Sequence, residues 1–261
     1  DVTLAWAPES GLRLKGVADV RDWGVRDRDD GELSTAQSAS AVFDMGHHAG
    51  RLMLHECVVD LGKSLLSDNR VTVKGTYDFT QAGRISGNVE IHSPAVELLR
   101  VLRILDADPD GAKSSGRDIV VDLKLSADRL HWNGLTATNF IAATSVTNKV
   151  TEFKSMQMYL EGGPLGAYYR MDRTRPAWAH EVAIAGRQVA LAPLLDLFVK
   201  DEHKPWVAAQ KWGKLDADVR LRWAQAPGQG WDWRSMAAEG LKGVGTDAVL
   251  RISGASIAVP E

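Results

Sequence analysis

The sequence predicts an all-β chain interrupted by two short helices, and three observations predict it. The stretch VDLKLSADRLHWNGLTATNF, residues 121–140, alternates Val121, Leu123, Leu125 and Ala127 with Asp122, Lys124, Ser126 and Asp128. That is the two-residue period of a strand with one dry face and one wet face. The same alternation recurs down most of the chain. The connectors between runs are short and carry Gly, Asn, Asp or Pro, as antiparallel hairpins require.

The elements follow in order. The chain opens on DVTLAW, already alternating. GLRLKGVADV sets Leu12, Leu14, Ala18 and Val20 against Arg13, Lys15, Asp19 and Arg21. RLMLHECVVD alternates Leu52, Leu54 and Val58 with Met53, His55, Cys57 and Val59, so both of its faces are expected to be partly covered. A hairpin is predicted from Val71, Val73, Tyr77 and Phe79 through a turn at Gln81-Ala82-Gly83 into Ile85, Val89 and Ile91. Further strands are predicted over 150–160, 164–173, 177–191, 214–223 and 247–259.

The two helices are predicted from a change of period. In SPAVELLRVLRIL, Leu98, Val101, Leu102 and Leu105 recur at helical spacing, with Ser93 placed to cap and Pro94 at the first helical position. APLLDLFVK repeats the device with Pro193, Leu194, Leu197 and Phe198. Each leads into a polar stretch and then another strand. Strand fragments repeat as well: Ala18-Asp19 before Trp23, Ala127-Asp128 before Trp132, and Ala217-Asp218 before Trp223. The chain therefore reads as one continuous segment, 1–261, of loosely repeated units at 11–105, 118–199 and 213–259.

Composition excludes several classes. A net charge of -3 gives no bulk electrostatic case for nucleic acid or an anionic membrane. A single cysteine, Cys57, rules out an intramolecular disulfide framework. No apolar run reaches membrane-spanning length, and the start resembles no signal peptide. Because the chain begins inside a strand without methionine, it reads as a segment of a longer protein.

Chemical motifs are sparse. HHAGRLMLHEC offers His47, His48, His55 and Cys57, the last two on one face of a regular strand. A metal site needs three or four convergent ligands, which this spacing does not supply, and no metal is expected. DADPDG sets Asp106, Asp108, Asp110 and Gly111 at the spacing of a calcium loop. Arg117 then stands where that loop needs a bidentate glutamate, so a polar loop is the default. There is no G-x-S-x-G elbow, phosphate-binding glycine loop or H-E-x-x-H. GGPLG precedes no helical pattern and reads as a turn. No catalytic residue, enzyme activity or cofactor is expected.

The order of elements is the strongest family signal. VTVKGTYDF, SPAVELLRVL and DLKLSADRLHWNGLTATNF, followed by GGPLGAYYRMD, LAPLLDLF, GKLDADVRLRW and MAAEGLKGVGTDAVLRISGASIAV, resembles the C-terminal region of the AsmA-like family. That family comprises large bacterial envelope proteins of the AsmA/TamB type, a bridge-like lipid-transfer group. The resemblance runs from about Leu12 to Val259 and departs at RISGASIAV, where relatives carry a more glycine-rich strand.

The resemblance implies an elongated, curled antiparallel sheet that forms an open, taco-like apolar groove. It implies that the groove holds phospholipid or another acyl-chain lipid, for transport between inner and outer membranes or outer-membrane homeostasis. The setting would be the bacterial periplasm, with an inner-membrane anchor on a segment absent from this chain. Membrane surfaces and envelope proteins would be further partners, and nucleic acid would not. The residues assigned to the groove are Leu12, Leu14, Val71, Val73, Ile85, Val89, Ile91, Val121, Leu123, Leu125, Leu130, Trp132, Met156, Met158, Leu160, Val182, Ile184, Leu215, Val219 and Leu221.

Two other readings stay open. The same residues suit the ordinary core of a structural or adhesive module that binds a partner along a strand edge. A hydrolase would need convergent polar groups in a pocket. An apolar trough without a filled interior separates the first reading from these. Trp206, Trp212, Trp231 and Trp233 fit either lipid head-group contact or packing over strand ends.

Overall fold

The structure, a computed structural model, describes residues 2–7, 11–23, 37–60, 69–97, 118–132, 135–199, 203–225 and 243–256. Among the described residues, thirteen strands pair in chain order. They are β1 (Val2–Ala7), β2 (Gly11–Trp23), β3 (Gln37–His48), β4 (Arg51–Asp60), β5 (Arg70–Asp78), β6 (Arg84–Glu97) and β7 (Asp118–Trp132). Then come β8 (Leu135–Thr147), β9 (Val150–Leu160), β10 (Gly163–Asp172), β11 (Trp178–Ala190), β12 (Lys214–Gln225) and β13 (Gly245–Ser253). Two helices, α1 (Leu191–Phe198) and α2 (Lys204–Ala208), separate β11 from β12. The class is thus all-β with two short helices, and the strand order has two ends rather than closing into a ring.

Local chemistry sets the tight turns. Ala49 and Gly50 between β3 and β4 have φ of 47° and 76°, and Glu161 and Gly162 between β9 and β10 have 47° and 79°. Two successive left-handed residues give the hairpin turn whose twist matches the flanking strands. GGPLG therefore does contain a turn, but its second glycine already opens β10. The turn expected at Gln81-Ala82-Gly83 lies between β5 and β6.

The chain divides into two compact units, Asp1–Phe140 and Ile141–Glu261. The division falls inside β8, where the strand changes phase. Leu135 and Ala137 are buried on odd numbers before it, and Ala142 and Thr144 on even numbers after it. Asn139, with φ of 53°, supplies the irregular step between them, as one extra residue does in a bulge.

The start expected for the first helix, at Ser93 and Pro94, is corrected. Residues 93–97 are the end of β6, and Ser93 is a buried strand residue rather than a cap. Its Oγ donates to the carbonyls of Arg70 (2.7 Å) and Ala95 (3.0 Å). The Glu97 N–H donates to Asn69 Oδ1 at 3.1 Å, so the segment's polar groups are satisfied in extended form. Leu98, Val101, Leu102 and Leu105 lie outside the described residues, as do the DADPDG loop, Trp231 and Trp233.

A wholly antiparallel sheet is corrected in the same place. β6 and β7 pair in parallel, from Arg84↔Asp118 to Glu97↔His131. Parallel neighbours need a connection of a dozen residues or more, which the stretch 98–117 satisfies. The second expected helix stands as α1, while α2 is an addition. β3 is also an addition, since its Ser and Ala residues alternate too weakly in hydropathy to stand out.

Candidate functional site

Cross-strand register decides which side chains share a face, because directly paired residues project to the same side. In unit 1 one row runs Leu14, Met45, Leu54, Gly75, Val89 and Leu123 across six strands. The next row runs Gly16, Phe43, Cys57, Val73, Ile91 and Leu125. Outside these lie Leu12, His47, Leu52 and Tyr77, and on the other side Ala41, Val59 and Val71. This face is apolar almost throughout.

The opposite face of unit 1 is held by ion pairs between neighbouring strands. Arg13 and Lys15 meet Asp44 at 2.7 and 3.0 Å, Lys74 meets Glu56 at 3.3 Å, and Lys124 meets Glu90 at 3.0 Å. The paired guanidinium and ammonium groups hold the Asp44 carboxyl well below the usual carboxylate range, the Arg13 hydrogen bond contributing most. Exposed pairs add little stability; their value here is to mark the face that water wets. One apolar row, Val17, Val42 and Val58, crosses that face.

Burial along this face is partial: Leu14, Val71, Val73, Ile85, Ile91, Val121, Leu123 and Leu125 are all half-buried, Leu12 is exposed, and Val89 is buried at 3%. Five strand spacings of about 4.8 Å, by about 20 Å along the strands, give a geometric area on the order of 500 Å². That lies within the range of the largest apolar patch on a typical monomer, where binding surfaces are found.

Unit 2 is also one-sided. Met158, Leu165 and Gly186 form one row, and Met156, Ala167, Ile184 and Val219 the next. Val182 and Leu221 follow, and Leu215 pairs with the buried Val189 beyond a bulge in β11. Leu160 pairs with Gly163 at the end of the β9–β10 hairpin. Met156, Met158, Leu160, Val182, Ile184, Leu215, Val219 and Leu221 are all half-buried. On the reverse face Glu181 receives Arg222 at 3.1 Å and Arg220 at 3.8 Å.

One end of this second face is aromatic. Phe153 and Tyr169 lie 6.0 Å apart, Tyr169 and His180 6.2 Å, and His180 stacks on Trp223 at 4.9 Å with the rings 5° from parallel. These four residues come from β9, β10, β11 and β12. Tyr169 Oη and His180 Nδ1 share a hydrogen bond of 3.1 Å. Burial raises the Tyr169 phenol, and the nearby Arg173 charge opposes that rise. For His180 burial comes first and Arg173 second, and both lower it.

Arg173 follows directly after β10. Its guanidinium donates to Thr151 Oγ1 at 2.9 Å and lies 5.6 Å from the Trp178 ring. Thr151 pairs with Met171, and Trp178 is in phase with His180, so both belong to the apolar face. No carboxylate pairs with Arg173 among the described residues. The sequence carried a signal for it: Leu165, Ala167, Tyr169 and Met171 alternate toward a cation in the next position of the same phase.

Several expected neighbours are not brought together. Leu130 pairs with Val96 and is out of phase with Leu123 and Leu125 along β7. Trp132 has its backbone in β7, and its side chain lies outside the described residues. His55 and Cys57 do not share a face as expected, because β4 changes register between Leu54 and Cys57. Cys57 pairs with Phe43 and Val73, whereas a side-chain carbon placed on Gly46, on the charged face, would lie 3.2 Å from His55 Nε2. No group of three metal-ligating side chains occurs among the described residues.

Among the tryptophans, Trp212 Nε1 donates to the Val207 carbonyl at 2.7 Å and packs edge-on to Trp206, which is 39% exposed. Trp212 thus packs beside α2, and Trp206 keeps part of its ring in water. No described helix is long and apolar enough to cross a membrane. Comparison with protein-family models, with curated proteins and with solved structures finds no match.

Proposed function

We propose that the chain is a lipid-binding segment of an AsmA-like envelope protein, and that the apolar face of each unit takes acyl chains. In this reading the sheet curls along its strands, so that each face is the floor of a trough. Phospholipid moves along it between inner and outer membranes, or is held there for outer-membrane homeostasis. The protein works in the bacterial periplasm, tethered to the inner membrane by a segment beyond this chain, and no catalytic step is assigned to it.

The single observation that carries the reading is the half-burial of a broad aliphatic face in each unit, backed by ion-paired strands. Apolar side chains left partly in water gain roughly 25 cal/mol for every Å² that a ligand covers. An acyl chain is the ligand that fills such a face without needing polar partners. The family assignment rests on the order of sequence elements described above.

Native mass spectrometry of the purified chain, followed by organic extraction, tests the reading. Phospholipid should accompany the chain and be lost on Leu123→Asp with Leu125→Asp, while circular dichroism keeps its β signal. A lipid-free chain that unfolds on those changes would mean that the face is an ordinary core, and the adhesive reading would replace this one.

A further inference from the structure

Within the lipid reading, on which this inference rests, unit 2 contains a group that acyl chains do not need. Arg173 stands at the end of the apolar face, anchored by Thr151 and Trp178 and facing no carboxylate among the described residues. Arg170, three residues before it, is in register with Glu181 on the reverse face and reaches Asp172 at 3.6 Å, so the charge offered at this end of the apolar face is that of Arg173. In unit 1 the corresponding position, between the aspartate and threonine of the same turn, is Phe79.

The distance from this cation along the face suits one amphiphile. From Met171 to Leu165 the strand advances about 20 Å at roughly 3.3 Å per residue. Half the hydrocarbon thickness of a bilayer is about 15 Å, so the track is long enough for one acyl chain. We infer that unit 2 binds a single-headed anionic amphiphile, a lipid carboxylate or phosphate, with its head on the Arg173 guanidinium and its tail along Met171, Tyr169, Ala167 and Leu165. Charge complementarity fixes the direction: the head lies at the Phe153–Trp223 end and the tail runs toward the β9–β10 turn. Arginine suits the role because its planar donor fork matches both anions in paired hydrogen bonds.

The test titrates the whole chain with dodecanoate, dodecanol and acetate, below micelle formation, and follows tryptophan fluorescence. The native chain should bind dodecanoate about tenfold more tightly than dodecanol, as a charge-assisted hydrogen bond provides. Acetate should not compete. Arg173→Gln should bring dodecanoate down to the affinity of dodecanol and leave dodecanol unchanged, while Arg173→Lys should recover part of the preference. Unchanged dodecanol binding also shows that Arg173→Gln has folded.

Four results would overturn the inference. Equal binding of both amphiphiles by the native chain, or a preference that survives Arg173→Gln, removes the head-group role and leaves the lipid reading standing. Competition by acetate as strong as by dodecanoate means a simple anion site. Binding of neither amphiphile removes the lipid reading and this inference together.

Discussion

Units 1 and 2 close a hairpin with the same device and differ at one residue inside it. Asp78 Oδ1 accepts from the N–H and hydroxyl of Thr80 at 2.8 and 2.5 Å, and Asp172 Oδ1 accepts from those of Thr174 at 2.9 and 2.6 Å. These threonine hydrogen bonds lead the causes that lower both carboxyls. Between aspartate and threonine, unit 1 has Phe79, stacked on Tyr77 with centroids 6.4 Å apart, and unit 2 has Arg173. The backbone solution is shared, but one face ends in hydrocarbon and the other in a cation beside half-buried Tyr169 and buried His180 and Trp223. Strand pairing fixes where a face ends, and a single side chain there fixes what chemistry it meets.

The largest expected effect separates the two faces by how fully they pack. Trp223, 8% exposed and stacked on His180, should cost about 3–5 kcal/mol when replaced by alanine. Leu123→Ala in unit 1 should cost about 1–2 kcal/mol, because Leu123 is only half-buried. Urea unfolding of each variant reads the difference, and equal losses would mean that the unit 1 face is covered as completely as the aromatic end of unit 2.

Close backbone approach gives the next effect, one in each unit. A side-chain carbon on Gly75 would lie 2.4 Å from the Asn88 carbonyl oxygen, and on Gly163 2.6 Å from the Arg187 carbonyl oxygen and the Val189 backbone. Replacement of either by alanine should destabilise by roughly 1–3 kcal/mol. Hydrogen exchange should show the loss confined to strands of the substituted unit; equal loss in both would contradict the division at 140/141.

Acid and base should then act on unit 2 more than on unit 1. Burial lowers His180, so its neutral form is favoured in the folded state, and this stabilisation is present above the unfolded value near 6.5 and is lost as pH falls through the lower folded value. Tyr169 is raised above 10.0, so its contribution is present below that value and lost as pH rises through the folded one. Thermal unfolding from pH 7 to 4 should decline less steeply in His180→Gln than in the native chain. Parallel curves would show that His180 has the same pKa folded and unfolded, and so that burial does not lower it. The smallest effect is expected from Asp44→Asn on the exposed face of unit 1, because solvent screens the pairs with Arg13 and Lys15. Its unfolding midpoint should match the native one within the scatter of a thermal melt.

Much of the fold was legible because alternation is local. The runs predicted over 150–160, 164–173, 177–191 and 214–223 coincide closely with β9, β10, β11 and β12. The failures lie where long-range pairing outweighs a local pattern. Ser93-Pro94 reads as a helix start, yet β7 supplies partners for Ser93 and Ala95, and Asn69 takes the Glu97 N–H. The phase changes in β4 and β8 were also hidden, since a bulge depends on the partner strand's register. Of the candidate site, the aliphatic rows could be read strand by strand. The His180–Trp223 stack could not, because it joins residues from β11 and β12 whose register is set only once they pair.

A photo-crosslinking residue placed at 123 in one preparation and at 124 in another tests most directly whether the apolar face bears lipid. Leu123 lies on the apolar face, and Lys124, its immediate neighbour, pairs with Glu90 on the other. Irradiation in cells should capture acyl lipid at 123 and none at 124. Equal capture at both positions, or capture at neither, would contradict a lipid-bearing face.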